Sequence, residues 1–318
     1  MKPAAASQDR TVRHHRLLSP AVRLWSLLLF VLCLISTSVQ AQPVYAWQVR
    51  SSTATLYLLG SLHAFPPNSY PLPAPIEAAF DLSDYLVVEI NPTDMSIPEQ
   101  QKLIDHYGLL PQGQTLKSVL PNAVWLHLQS ACAQLRLRCA LMEDWQPWRA
   151  GTQIVLSSAK DQGFDTESGI DHYFMKRAGS RKILALETLE SQLKAISSPG
   201  MDMQIENLSS TLDQLDNEPD FLPDLYSYWA TGDGPGLYQL MQKETVESKT
   251  LKEYMDILNA RRNIAMTDQL ERLLKTKGTY FVVVGALHLP GPDGILERLK
   301  ARHYPSQQLQ APRLKSRQ

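Results

Sequence analysis

Leu56-Tyr-Leu-Leu-Gly-Ser-Leu-His63 is an apolar run that reads as a buried strand and closes on glycine, two small or apolar residues and a histidine. Near the far end of the chain, Thr279-Tyr-Phe-Val-Val-Val-Gly-Ala-Leu-His288 has the same layout, and proline follows both copies within a few residues. In an α/β protein the carboxyl ends of the sheet strands face a crevice, where side chains from several strands converge on a rigid frame. Glycine just past a strand permits a sharp turn or the close approach of another group, so that the histidine can be aimed into that crevice. Taken singly, each histidine also reads as a turn residue after a buried strand. Taken together, they predict two strand ends meeting at one site, with His63 and His288 as metal ligands or general bases.

Outward from the first motif, Trp47 to Arg50 and Ala54 to Leu59 form an expected hairpin. The proline-rich loop after His63, Pro66 to Pro75, reads either as a wall over the site or as a plain surface loop. Ile76 to Phe80 predicts a short helix and Tyr85-Leu-Val-Val-Glu-Ile90 a second buried strand with Glu89 inside its apolar run. Carboxylates are rarely buried without a partner, so Glu89 is either the first solvent-facing residue at a strand end or a functional group beside His63. Two histidines and one carboxylate are a recognised catalytic metal set, with water in the open position. His63, Glu89 and His288 are therefore the expected ligands of a divalent ion, with Mn, Co or Zn all admissible. Lys182-Ile-Leu-Ala-Leu-Glu187 predicts a third strand, ending in Glu187 much as the second ends in Glu89. Asp171, in Gly169-Ile-Asp-His-Tyr-Phe174, either caps its helix or orients a ligand histidine or a water. His172 is set aside as pointing elsewhere on that helix, and His106 and His127 as structural or exposed.

Gly60-Ser-Leu-His63, Gly285-Ala-Leu-His288 and the intervening Glu89 resemble the TraB/GumN family, which is similar to the Tiki metalloproteases and more distantly to the erythromycin esterase and ChaN-like group. The resemblance covers residues 45 to about 300. It implies a single α/β domain with a helical insertion and a divalent-metal hydrolase site, proteolytic in the Tiki branch. Asp171 and Glu187 are similar to positions that surround the site in the family's pattern, and Arg262 with Asn263 resembles its Arg-Asn pair. Arg262 would then hold a carboxylate or polarise a carbonyl, while Arg261 reads as a surface residue.

The segments 97–162 and 191–277 are mostly helical in pattern, with Trp125, Trp145 and Trp148 expected to fill a core. Acidic residues from Asp213 to Asp220 read as a solvated face. The fold expected is thus α/β, a central mixed sheet carrying the site at its strand ends, spanning 42–302 with a mostly helical insertion and a loose tail at 303–318. At the amino terminus, Arg10, Arg13, Arg16 and Arg23 precede the apolar Leu24 to Ile35 and the small-residue stretch Ser36 to Ala41. This is the layout of a secretory signal over residues 1–41 cleaved after Ala41, with an uncleaved anchor as the alternative. Without it the chain keeps 26 basic against 31 acidic residues and two cysteines, Cys132 and Cys139. On one straight helix those cysteines would stand about 10 Å apart, so a disulfide requires the helix to end between them. A formal charge of −1 and the absence of long basic runs leave no nucleic-acid footprint, and no later segment reads as a membrane span.

These features point to a periplasmic or extracellular metal-dependent hydrolase with a peptide or protein substrate. His63, Glu89 and His288 are its first candidates, and Asp171, Glu187 and Arg262 support them. Two alternatives stand beside it: a metal-independent, esterase-like hydrolase with a histidine base oriented by Glu89, and a non-catalytic protein binding a metal, haem or peptide.

Overall fold

The run containing Leu56 is buried because it lies inside a sheet covered on both faces. A computed structural model describes residues 41–245 and 248–312, so the expected signal segment lies outside the described residues except for Ala41. Six strands, β1 (Ala41–Arg50), β2 (Ala54–Ser61), β3 (Tyr85–Val88), β4 (Lys182–Ala185), β5 (Gly278–Gly285) and β6 (Ser306–Pro312), make one mixed sheet in the order β4-β3-β5-β2-β1-β6. β4, β3, β5 and β2 run parallel, β1 folds back on β2 as the expected hairpin, and β6 runs antiparallel to β1. Continuous apolar runs suit parallel strands with both faces covered, and Leu56, Leu58, Leu86, Val87, Phe281 and Val282 are all fully buried.

The register brings the carboxyl ends of the four parallel strands level. Ser61 stands opposite Gly285, Val88 opposite Val283, and Ala185 opposite Val88. The β3–β4 ladder runs on past the strands, with Leu186 N–H donating to Val88 O and Glu187 N–H to Glu89 O.

Helices α1 (Ala74–Asp81), α2 (Ile97–Gly108), α3 (Asn122–Gln134), α4 (Pro147–Asp161), α5 (Ile170–Lys176) and α6 (Leu189–Ser197) connect or follow the first four strands. Then come α7 (Met201–Asn217), α8 (Phe221–Ala230), α9 (Gly234–Thr245), α10 (Lys249–Met255), α11 (Arg261–Leu274) and α12 (Ile295–Ala301). The helical insertion has its own core, in which Leu116, Leu128, Ile154, Leu208 and Leu212 are fully buried. Trp125 and Trp145 pack against it half-buried, and Trp148 is buried. His127 meets the acidic face of α7, its Nε2 3.0 Å from Asp216. α3 does end between the cysteines: Arg136 adopts a left-handed φ of 55°, and the reversed chain brings Cys132 and Cys139 to a Cα separation of 5.8 Å, joined as a disulfide.

The expectation of a loose tail at 303–318 is overturned over residues 306–312. The outer edge of β1 presents backbone donors and acceptors that need partners, and β6 supplies them. Gln308 Nε2 also donates to Val44 O at 3.1 Å and to Gly232 O at 2.6 Å. Residues 313–318 lie outside the described residues. Among the described residues no helix is long and apolar enough to cross a membrane.

Candidate functional site

Because β2 and β5 are adjacent and in register, the two Gly-x-x-His segments leave the sheet side by side, and Glu89 and Glu187 leave it from the next two strands. All four side chains belong to one end of the sheet, and His63, Glu89, Asp171 and Glu187 line a single cleft of about 850 Å³. The proline-rich loop contributes nothing to its lining. It packs instead on α5, where Tyr70 stacks on Tyr173 with ring centroids 4.0 Å apart.

The two glycines of the motifs serve close approach rather than a special backbone angle. A Cβ on Gly60 would lie 2.4 Å from the Tyr45 ring and 3.0 Å from the Ala286 Cα. Gly285 has ordinary angles (φ −50°, ψ 137°), and what it leaves open is space in the site itself. A Cβ there would lie 3.1 Å from Glu89 Oε1, 3.3 Å from His288 Cδ2 and 3.8 Å from His63 Nε2.

Each imidazole has its Nδ1 held. His63 Nδ1 donates to Asp171 Oδ1 at 3.2 Å, and the buried Ser61 hydroxyl donates to the same oxygen at 2.9 Å. Asp171 reaches that place because α5 starts hard against the strand end: Ile170 N–H donates to Leu62 O, and a Cβ on Gly169 would fall 2.5 Å from the His63 carbonyl oxygen. His288 Nδ1 donates to Asn263 Oδ1 at 2.6 Å, and the amide is oriented by its own Nδ2, which donates to Asp293 O at 2.9 Å. Both Nε2 atoms are thereby left free of these partners.

Glu89 is buried, and its carboxylate is fully engaged. Oε1 accepts from Gly285 N–H at 2.5 Å, while Oε2 accepts from Arg262 Nη2 at 2.7 Å and Gln192 Nε2 at 3.0 Å. Arg262 also clamps Glu187 through Nε and Nη2, and its Nη1 donates to Leu258 O. Each of its three nitrogens thus donates to a protein acceptor, and Arg262 holds two carboxylates in place. Leu258 belongs to a π-helical segment, Asp256–Ala260, that leads straight into α11, where the consecutive Arg262 and Asn263 point apart by the ordinary helical step. Arg261 next to them is exposed.

Electrostatics follow from this packing. Burial lowers His288 to about 4, so it is neutral at ordinary pH. His63 lies on the cleft floor, walled by protein yet 63% exposed; partial desolvation opposes its charge, but the Asp171 hydrogen bond and charge raise it to about 9. Burial alone would raise Glu89, but the imidazoles, Arg262 and the Gly285 N–H together hold it below its ordinary value. Asp171 is likewise lowered against its own burial, by His63 and Ser61.

The donor chemistry of this set suits a divalent cation at the two imidazoles. The lone pair of neutral His288 Nε2 faces the ionised Glu89 Oε1 at 3.6 Å, two acceptors turned toward each other, an arrangement that a positive charge between them relieves. Among the described residues, however, no group of three or more His, Cys, Asp or Glu stands close enough to hold a metal ion, so the third ligand is not in place.

All six candidates named from sequence meet at this end of the sheet. The carboxylate that orients His63 is Asp171 and not Glu89, and Glu187 is clamped by Arg262 through both of its oxygens. Sequence reasoning missed the parts played by Ser61, Gln192 and Asn263; the only signal for Asn263 was its place beside Arg262. It also misjudged His172, which lines the cleft and whose Nδ1 is buried without a partner.

A mixed-sheet α/β protein with paired histidines and a buried carboxylate at the ends of its parallel strands is the class that fold and site define. More particularly, the chain belongs to the TraB/PrgY/gumN family, whose model matches residues 45–308. It is 23% identical over 262 residues to the uncharacterized protein YbaP of Escherichia coli (strain K12), covering 80% of this chain and 93% of that protein. It is 22% identical over 269 residues to an uncharacterized protein of Treponema pallidum (strain Nichols), with 80% of each chain covered. It is also 22% identical over 315 residues to a metalloprotease TIKI homolog of Amphimedon queenslandica, covering 83% of this chain and 61% of that protein. No solved structure matches the chain.

Proposed function

We propose that this chain is a metal-dependent hydrolase of peptide bonds, acting outside the cytoplasm. The observation that carries the reading is the convergence of two imidazoles, each with Nδ1 held by an oxygen acceptor and Nε2 left free, beside the ionised Glu89. Family membership and the likeness to a protein named as a metalloprotease homolog support it. His63 and His288 would hold the ion beside the ionised Glu89, and when bound it would polarise a carbonyl and lower the pKa of a bound water. Asn263 keeps neutral His288 in the tautomer that presents the Nε2 lone pair, and Asp171 fixes His63 through Nδ1, where a bound cation would displace the Nε2 proton. Arg262, with Gln192 and the Gly285 N–H, keeps Glu89 ionised and fixed beside the imidazoles. The location rests on the amino-terminal signal pattern, and a disulfide between Cys132 and Cys139 agrees with an oxidising compartment.

The His63–Asp171 pair also supports a second reading, in which His63 transfers protons without a metal. A pKa of about 9 makes His63 an acid at neutral pH and a base only above that value. Metal content and peptide cleavage of the purified protein, compared with His63→Ala and His288→Ala, test both. A bound divalent ion and chelator-sensitive cleavage, both lost in each variant, support the metallohydrolase. Cleavage that ignores chelator and rises toward pH 9 supports the second reading, and a bound ligand without turnover refutes both.

A further inference from the structure

The cleft is larger than its polar cluster. Beyond His63, Glu89 and their partners it is walled by Ile90, Pro92, Met95, Met175 and Leu189, side chains that are half-buried or exposed, of which Met175 also packs against the main core. Three of them are tied to the site by local geometry. Met175 follows Asp171 by four residues on α5, so both lie on one helix face, one turn or about 5–6 Å apart. Leu189 precedes Gln192 by three residues on α6, so it stands one turn from the residue that is bonded to Glu89. Met95 ends the short turn that leaves β3 beyond Glu89.

That turn is pinned. Asn91 Oδ1 accepts from Thr93 N–H at 3.2 Å and from Thr93 Oγ1 at 2.8 Å, and Gln100 Nε2 donates to Pro92 O at 2.8 Å and Met95 O at 3.0 Å. The apolar wall is therefore preformed, and its methionines are side chains that adapt to varied apolar shapes. The acidic group on the same turn, Asp94, is engaged by Asn91 Nδ2 at 2.6 Å.

We infer that the part of the cleft wall carrying Met95, Met175 and Leu189 is a specificity pocket for an apolar side chain, of leucine, methionine or phenylalanine size, in the residue flanking the bond acted upon. The inference rests on the hydrolase reading for the word bond, but the pocket is testable by binding alone. The probe is a set of fluorescent N-acetyl peptide amides differing in one side chain, Leu, Met or Phe against Ala, Ser, Asp or Lys. Their affinities are read by anisotropy with the full protein, and their cleavage is followed in parallel.

The expected result is binding of the Leu, Met and Phe peptides about tenfold or more tighter than the Ala and Ser peptides. Met175→Ala and Met95→Ala should each shrink that ratio severalfold. Met95 sits on a surface turn, so its variant keeps the test available should Met175→Ala fail to fold. Apolar-selective binding that depends on Met95, without cleavage, upholds the pocket and sinks the hydrolase reading. Cleavage with no apolar preference does the reverse. Equal affinity across the set, no binding at all, or variants that leave the ratio unchanged overturn the pocket.

Discussion

At the scale of single residues, the two motif glycines separate stability from function. Alanine is comfortable at the φ and ψ of Gly285, but its methyl would press on Glu89 Oε1 and the His288 ring. Gly285→Ala should therefore melt near the wild-type temperature yet lose tenfold or more in metal binding or turnover. Gly60→Ala drives a methyl into the Tyr45 ring and should instead lower stability by about 1–3 kcal/mol, read by urea unfolding. Arg262 bridges two carboxylates that are both largely buried, so Arg262→Ala leaves both without their cation and should cost about 3–5 kcal/mol. The pH dependence has a definite sign. Glu89 is held below its ordinary value of 4.5, so its contribution is full above that value and is lost as pH falls through the lower folded value. The gap in unfolding midpoint between wild type and Glu89→Gln should accordingly narrow as pH falls below 4.5, and a gap that widens there would contradict this account.

At the scale of elements, β6 shows what side-chain patterning leaves unsaid. Ser306-Gln-Gln-Leu-Gln-Ala-Pro312 has only a weak apolar alternation, Leu309 and Ala311 packing against the core, and the strand is held besides by its ladder to β1 and by the two Gln308 bonds. Ending the chain at Tyr304 should uncover the β1 edge, lower the melting temperature by several degrees and raise turbidity on heating, while the cleft at the opposite side of β2 keeps its lining. The parallel strands are the contrary case. β2, β3 and β5 were legible as buried runs, and Glu89 was conspicuous because it interrupts one of them.

At the scale of the whole molecule, the sheet and the helical insertion have separate hydrophobic clusters, and the disulfide belongs to the second. It closes a loop of seven residues' separation, which by loop entropy is worth about 2–3 kcal/mol. Reduction should loosen α3 first, seen as faster amide exchange in the insertion, with little change at the strand ends. By itself the sequence determined the α/β class, the helical insertion and the six candidate site residues, since hydrophobic period, strand-closing glycines and an anomalous buried carboxylate are local signals. Only the tertiary structure decided how those residues pair. That Asp171 holds His63, that Asn263 holds His288, that Arg262 is spent on Glu89 and Glu187, and that Met95, Met175 and Leu189 share a cleft all depend on strand order and on where each helix starts. A hydrogen bond between residues more than a hundred positions apart, such as Ser61 to Asp171, leaves no trace in either one's neighbours along the chain.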